Sequence, residues 1–182
     1  MSMRPEEPEW LAFTEVTPEA PDDGRAFGKL ILAGEHAAVH GYPAIAAPLP
    51  ALSALAWVTP GGDGLTITSE GFGTATLETR SGPMAPLAEA ARDALERMQV
   101  DPVALPPLTI QITSTIPPGS GLGSSAAVTV ALVRALYRYF GFPLDPLILQ
   151  DIATQSECMA HGTSSGIDPA AVAATGPIRF RR

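Results

Sequence analysis

Hydrophobic and polar residues follow two different patterns along this chain. In residues 106–116, apolar and polar side chains alternate, which predicts a β-strand. In residues 85–100, apolar side chains recur at helical spacing with charged residues between them, which predicts an amphipathic α-helix. The apolar positions of that helix are Leu87, Ala91, Leu95 and Met98. The chain therefore contains both kinds of regular structure.

The same two patterns predict most of the other elements. Strands are expected over residues 25–34, which run into a glycine turn, and over residues 52–60. A hairpin is expected over residues 64–78. Strongly apolar helical segments occupy residues 124–141 and 145–162.

Turn-forming residues mark the ends of the two later helices. Gly141 and Pro143 stop the first, while Asp145 is a typical N-cap for the second. Residues 169–182 are predicted to form a final hairpin.

The longest apolar stretch, residues 42–58, contains three prolines: Pro43, Pro48 and Pro50. It is too short and too interrupted by proline to span a bilayer comfortably. We predict a buried loop followed by a strand.

Strands and helices are mixed without a regular βαβ rhythm, which favours the α+β class. Residues 1–24 are rich in proline and acidic side chains and predict an extended lead-in. The whole chain of 182 residues is 46% hydrophobic, which is enough to bury a sizeable core. We therefore predict that residues 25–182 form a single domain.

Charge and cysteine content narrow the function classes. The formal net charge of -8 argues against nucleic acid or an anionic membrane as a partner, although one loop can still bind phosphate. Cys158 is the only cysteine, which excludes an intrachain disulfide and fits a cytoplasmic location. The first 13 residues do not resemble a signal peptide.

The most informative segment is PPGSGLGSSAAV, residues 117–128, which joins the strand to the first apolar helix. Its glycines, Gly119, Gly121 and Gly123, allow a ligand close to the main chain. The free amides and dipole of the following helix attract anions, and two serine hydroxyls follow the last glycine. A phosphate-binding loop is predicted, although the alternative is a tight turn capped by serine. The Walker and dinucleotide-binding glycine spacings do not occur here.

Two other segments carry candidate chemistry. GKLILAGEHAAVHGYPAIA, residues 28–46, has Lys29 at the start of a strand and Glu35 and His36 just beyond its end. ECMAHGTSSGIDPAA, residues 157–171, has Glu157 on a helix and Asp168 in a loop. Each residue alone has an ordinary structural interpretation: a solvated lysine, a hydrogen-bonded histidine, an exposed glutamate or a turn aspartate.

Together, and in this order, the three segments resemble the motifs of the GHMP kinase superfamily. GEHAAVHGYPAIA and HGTSSGID are most similar to the mevalonate kinases of that superfamily, particularly the bacterial type. Ser164 and Pro169 depart from the usual pattern of these kinases, so the motif defines the identity of the phosphoryl acceptor less closely. The resemblance implies the N-terminal domain of such a kinase: a mixed β-sheet with helices packed on it, of the ribosomal-protein-like domain 2 type.

The resemblance also implies roles for individual residues. Asp168 would be the catalytic base with Lys29 beside it, and Ser125 and Glu157 would hold Mg2+. ATP phosphates would lie on Pro118, Gly119, Ser120, Gly121, Leu122, Gly123, Ser124 and Ser125. Glu35, His36 and Ser165 would lie near the acceptor.

The function implied is ATP-dependent phosphorylation of the primary hydroxyl of mevalonate. Phosphorylation of another small molecule by a GHMP kinase, such as phosphomevalonate kinase, and a non-catalytic binding module are the alternatives. Since such kinases carry a C-terminal domain, which this chain is expected to lack, we expect the chain alone to be a poor kinase. A homodimer, or pairing with the missing half, is left open.

Overall fold

The computed structural model describes residues 24–35 and 40–181. The predicted lead-in, residues 1–24, lies outside the described residues except for Gly24, and so does His36. No helix in the described part is long and apolar enough to cross a membrane.

A mixed β-sheet forms one layer of the fold. Its strands are β1 (Arg25–Ala33), β2 (Ala44–Pro60), β3 (Leu65–Ser69), β4 (Gly73–Thr76), β5 (Leu108–Ser114) and β6 (Ile178–Phe180). The order across the sheet is β1-β2-β5-β3-β4, and β6 pairs with one end of β2. β3 and β5 are parallel, whereas the other pairs are antiparallel.

Among residues 24–35 and 40–181, four helices pack on this sheet and on each other. They are α1 (Ala85–Arg97), α2 (Ser124–Phe140), α3 (Pro146–His161) and α4 (Ile167–Ala173), and a short 3-10 turn covers Pro102–Ala104. The α+β prediction is confirmed, and the predicted helices end within a few residues of their observed limits. Asp145 caps α3 as expected, since its carboxylate accepts a hydrogen bond from the backbone N–H of Leu147 at 2.8 Å.

The core lies between the sheet and α2, which packs on β1 and β2 and against α1 and α3. Leu132, Val133 and Leu136 are fully buried on α2, and Leu95 is fully buried on α1. Each such side chain contributes about 1.5–3 kcal/mol by leaving water. The core thus fixes the start of α2, where the glycine-rich segment ends.

The prolines of residues 42–58 do not produce the predicted loop, because β2 runs without a break from Ala44 to Pro60. Opposite β1, the register moves from Phe27↔Ser53 to Gly28↔Leu49, so Pro50 lies in a bulge. A proline is tolerated in a bulge because no ladder hydrogen bond needs its missing N–H.

The predicted hairpin over residues 169–182 is also wrong. Its first half belongs to helix α4, and only β6 is a strand, which pairs with β2 rather than with its neighbour in sequence. Gly166 begins α4 in a left-handed conformation, and Pro169 falls in the first turn, where proline is accepted. Burial of Ala171 and Val172 against the sheet side favours the helix.

Candidate active site

The glycine-rich segment is an exposed loop between β5 and α2. Gly119, Gly121 and Gly123 all have positive φ, between 68° and 76°. Residues with a side chain rarely adopt this conformation, so the backbone requires glycine at these positions. Residues 117–121 of the loop are exposed to solvent.

Three hydrogen bonds hold the loop in place. The backbone N–H of Lys29 donates to the carbonyl of Leu122 at 2.9 Å, which ties the loop to β1. The Ser120 hydroxyl donates to Pro117 at 2.7 Å, and the buried Ser124 hydroxyl donates to Ile116 at 3.3 Å. Because the Ser124 hydroxyl is directed inward, its predicted contact with phosphate depends on its backbone amide.

An ion pair joins β1 to α4 directly beside this loop. Lys29 Nζ lies 2.8 Å from Asp168 Oδ1. The lysine side chain is 7% exposed and the aspartate side chain 32% exposed, so the pair is reached from solvent on the carboxylate side. Lys29 is the only lysine in the 182 residues. The two residues predicted as the catalytic pair are therefore in contact.

A second cluster joins the start of α2 to α3. Ser125 Oγ and His161 Nε2 are 3.3 Å apart, and His161 Nε2 lies 4.0 Å from Glu157 Oε2. Glu157 is buried, and its Oε1 has no hydrogen-bond partner among the described residues. Such a carboxylate oxygen is suited to accept a cation.

Burial raises the pKa of Glu157 above its ordinary value of 4.5. The Ser125 hydroxyl and His161 act against this rise in the pKa. The Asp168 carboxylate also raises the pKa of Glu157, and the Lys29 ammonium lowers it. The charges of the first cluster therefore act on the carboxylate of the second.

Clefts adjoin the second cluster. A small apolar pocket of about 60 Å³ lies beside Ser125 and Glu157 and is lined by Phe72, Pro86 and Val128, among others. It adjoins a wider cleft of about 550 Å³ that is lined by Arg80, Gly82 and His161, among others. A ligand larger than a phosphate group therefore has room next to Ser125.

The structure gives less information on the residues predicted near the acceptor. Ser165 lies three positions before Asp168, and its Oγ accepts a hydrogen bond from the Ile167 N–H at 3.4 Å. Glu35 is exposed directly after Gly34, whose φ is 85°. His36 lies outside the described residues.

His161 was not among the predicted site residues, although it contacts one of them and faces another. The signal was present in the sequence, because His161 follows Glu157 by four positions and such residues share one face of a helix. An isolated histidine gives no indication of its partner on another helix, and Ser125 lies 36 positions away.

Comparison with known proteins identifies the family of this chain. Residues 86–176, half of the chain, match the model of the GHMP kinases N-terminal domain. The chain belongs to the GHMP kinase family. The family resemblance inferred from the three motifs is thereby confirmed.

Several curated relatives are mevalonate kinases, and the similar solved structures include both mevalonate and phosphomevalonate kinases. The enzyme of Thermococcus sibiricus is 33% identical over 165 residues, which cover 85% of this chain and 50% of the relative. The crystal structure of the Staphylococcus aureus enzyme is 35% identical with a TM-score of 0.60, covering 86% of this chain and 51% of that one.

The L. major mevalonate kinase, crystallised with R-mevalonate, is 30% identical with a TM-score of 0.68, covering 87% of this chain and 48% of that one. This chain therefore spans about half the length of the curated relatives that it matches.

Proposed function

We propose that this chain carries the ATP-binding and catalytic part of a kinase that phosphorylates the primary hydroxyl of mevalonate. The observation that carries the proposal is the contact between Lys29 and Asp168 at 2.8 Å beside the glycine-rich loop. The names of the relatives, and the R-mevalonate bound to the L. major enzyme, support mevalonate as the acceptor.

Asp168 is the proposed catalytic base. It is partly exposed, so an acceptor hydroxyl can reach its free carboxylate oxygen and give up a proton as the phosphoryl group is transferred. The buried Lys29 ammonium is paired with the Asp168 carboxylate and offsets negative charge on the phosphoryl group. Positioning and neutralisation of charge are the main requirements of phosphoryl transfer.

The loop from Pro118 to Ser125 is the proposed cradle for the nucleotide phosphates. Backbone amides of its exposed residues and the first amides of α2 can supply donors, and the helix dipole favours negative charge there. The clefts next to Ser125 leave space for the rest of a nucleotide.

Ser125 and Glu157 fit the Mg2+ that would accompany ATP. The unpartnered Oε1 of Glu157 is a buried anionic oxygen, and the Ser125 hydroxyl is a second hard oxygen donor. Within residues 24–35 and 40–181 there is no cluster of three or more His, Cys, Asp or Glu side chains that could hold a metal ion. The ion is thus proposed to be shared with the phosphates. When bound, it would neutralise phosphate charge.

Glu35, His36 and Ser165 are the proposed neighbours of the acceptor. Ser165 has the most support, since it lies in the loop that leads directly into α4, three positions before Asp168. We also propose that residues 25–182 form the ATP-binding domain. Full activity then needs sequence that corresponds to the second half of the relatives, which are about twice as long. The single cysteine is consistent with a cytoplasmic location.

A panel of acceptors tests the proposal. Transfer from ATP is measured with mevalonate, phosphomevalonate, galactose and homoserine, using the chain alone and the chain joined to the second half of a relative. We expect mevalonate to be the best acceptor and the joined protein to be the more active. Preference for another acceptor would reassign the substrate, and ATP binding without transfer to any of the four would favour a binding module.

A further inference from the structure

The side chain of Lys29 passes through a narrow gap before it reaches Asp168. A Cβ atom built on Gly123 would lie 2.9 Å from Lys29 Cγ and 3.4 Å from Lys29 Cε. The same atom would lie 3.0 Å from Cγ1 of Val172. The stem of Lys29 and the Val172 side chain therefore occupy the space that a side chain at position 123 would need.

Gly123 differs in this respect from the other glycines of the loop. Gly121 has nearly the same φ, 74° against 76°, yet a Cβ there would meet nothing within 4 Å. Gly119 is equally open. Backbone conformation alone explains glycine at positions 119 and 121, whereas position 123 also requires the absence of a side chain.

Helix α4 supplies both a partner and a wall for Lys29. Asp168 and Val172 are four positions apart and therefore share one face of the helix. Val172 is fully buried, so its methyl groups have a fixed position. The backbone of Lys29 is also held in place, because its N–H donates a hydrogen bond to the carbonyl of Leu122, the residue before Gly123.

We propose that Gly123 and Val172 are positioning residues that confine the stem of Lys29 so that its ammonium stays on Asp168. A lysine has a long flexible stem, and the buried path between these two residues limits its rotamers. The ion pair is consequently formed before any ligand binds. The catalytic consequence rests on the proposed kinase function, but the confinement itself does not.

The single lysine allows a direct test. Selective 15N labelling of lysine gives one side-chain ammonium signal, and its exchange with water reports on the ion pair with Asp168. We expect Gly123→Ala to shift this signal and to speed its exchange, because the new methyl group displaces the stem. Gly121→Ala is the matched control, with the same backbone strain and no steric contact, and it should keep the wild-type signal.

Val172 provides a second pair of variants that remains informative if Gly123→Ala does not fold. Val172→Ala widens the gap and should also speed the exchange of the Lys29 signal. Val130→Ala removes an equally buried valine from the middle of α2 and should leave the signal unchanged. The double variant Gly123→Ala/Val172→Ala should return the signal toward that of Gly121→Ala.

A kinase assay then separates this proposal from the function. If the protein is a kinase, Gly123→Ala should reduce kcat about 10²-fold relative to Val130→Ala, the loss typical of a reacting group misplaced by about 1 Å. Absence of kinase activity in the wild type would reject the function and leave the exchange measurements to decide the confinement. An unchanged Lys29 signal in both Gly123→Ala and Val172→Ala, or an equal change in Gly121→Ala, would overturn the proposal.

Discussion

The two clusters at the start of α2 each contain a buried charged group, but they satisfy it differently. Lys29 is paired with Asp168 at 2.8 Å. Glu157 is equally buried, yet its Oε1 has no partner among the described residues and its pKa is raised by burial. The first cluster is complete without a ligand, whereas the second has a desolvated carboxylate that a cation would stabilise. This difference suggests that the pair performs the chemistry and that the second cluster binds the metal.

The largest effect is expected from removing the base. Asp168→Asn keeps the shape of the side chain but cannot accept the acceptor proton, so kcat should fall by about 10²–10⁴-fold. Steady-state assays of the joined protein measure it. Asp63→Asn, a change of an exposed loop aspartate, is the control and should keep wild-type turnover. Substantial transfer by Asp168→Asn would remove the chemical role from the pair.

Stability should respond in opposite directions at the two clusters. Asp168→Asn leaves the buried Lys29 unpaired and should lower the free energy of unfolding by about 1–3 kcal/mol, since one partner is partly exposed. Glu157→Gln removes a charge that is buried at neutral pH and should raise the free energy of unfolding without Mg2+. Urea unfolding of both variants measures these changes. A destabilised Glu157→Gln would show that the carboxylate already has a stabilising partner.

The family resemblance predicted Lys29 beside Asp168, and Ser125 and Glu157 as metal ligands, because each residue belongs to a motif of contiguous residues. It did not predict the contact of His161 with Ser125 or the burial of Glu157. The contact of Ser125 with His161 depends on two helices packing side by side, and the burial of Glu157 depends on that same packing.

The two structural errors have a similar origin. The prolines of β2 predicted a loop, because proline disrupts a strand locally. Pairing with β1 on one side and with β5 on the other nevertheless extends the strand through a bulge. The last segment has several residues suited to a strand or to a turn. Its helix α4 is stabilised by burial of Val172, which local sequence does not reveal.

The pH dependence of stability should also distinguish the clusters. The pKa of Glu157 is raised in the folded state, so the folded protein binds more protons than the unfolded one between the two pKa values. The stability linked to this group is complete below about pH 4.5, the unfolded value, and is lost as the pH rises through the folded pKa. The free energy of unfolding in urea is measured over this pH range for the wild type and for Glu157→Gln. The value for the wild type minus that for the variant should fall as the pH rises. A difference that rises with pH would contradict the raised pKa.

The smallest effect is expected at the serine. Ser125→Ala removes a neutral donor, so Mg2+-nucleotide affinity should weaken less than in Glu157→Gln. Ser120→Ala is the control, because its hydroxyl donates to Pro117 within the loop. Calorimetric titration with and without Mg2+ measures the affinities. An equal loss in the two serine variants would place the effect in the loop rather than at a metal ligand.

One measurement tests the division of roles most directly: binding of Mn2+ in the presence of nucleotide, followed by electron paramagnetic resonance. Mn2+ takes oxygen ligands as Mg2+ does. We predict that Glu157→Gln weakens Mn2+ binding by about 10-fold or more, while Asp168→Asn binds Mn2+ as the wild type does. Wild-type Mn2+ affinity in Glu157→Gln, or a larger loss in Asp168→Asn, would contradict the assignment of metal binding to one cluster and chemistry to the other.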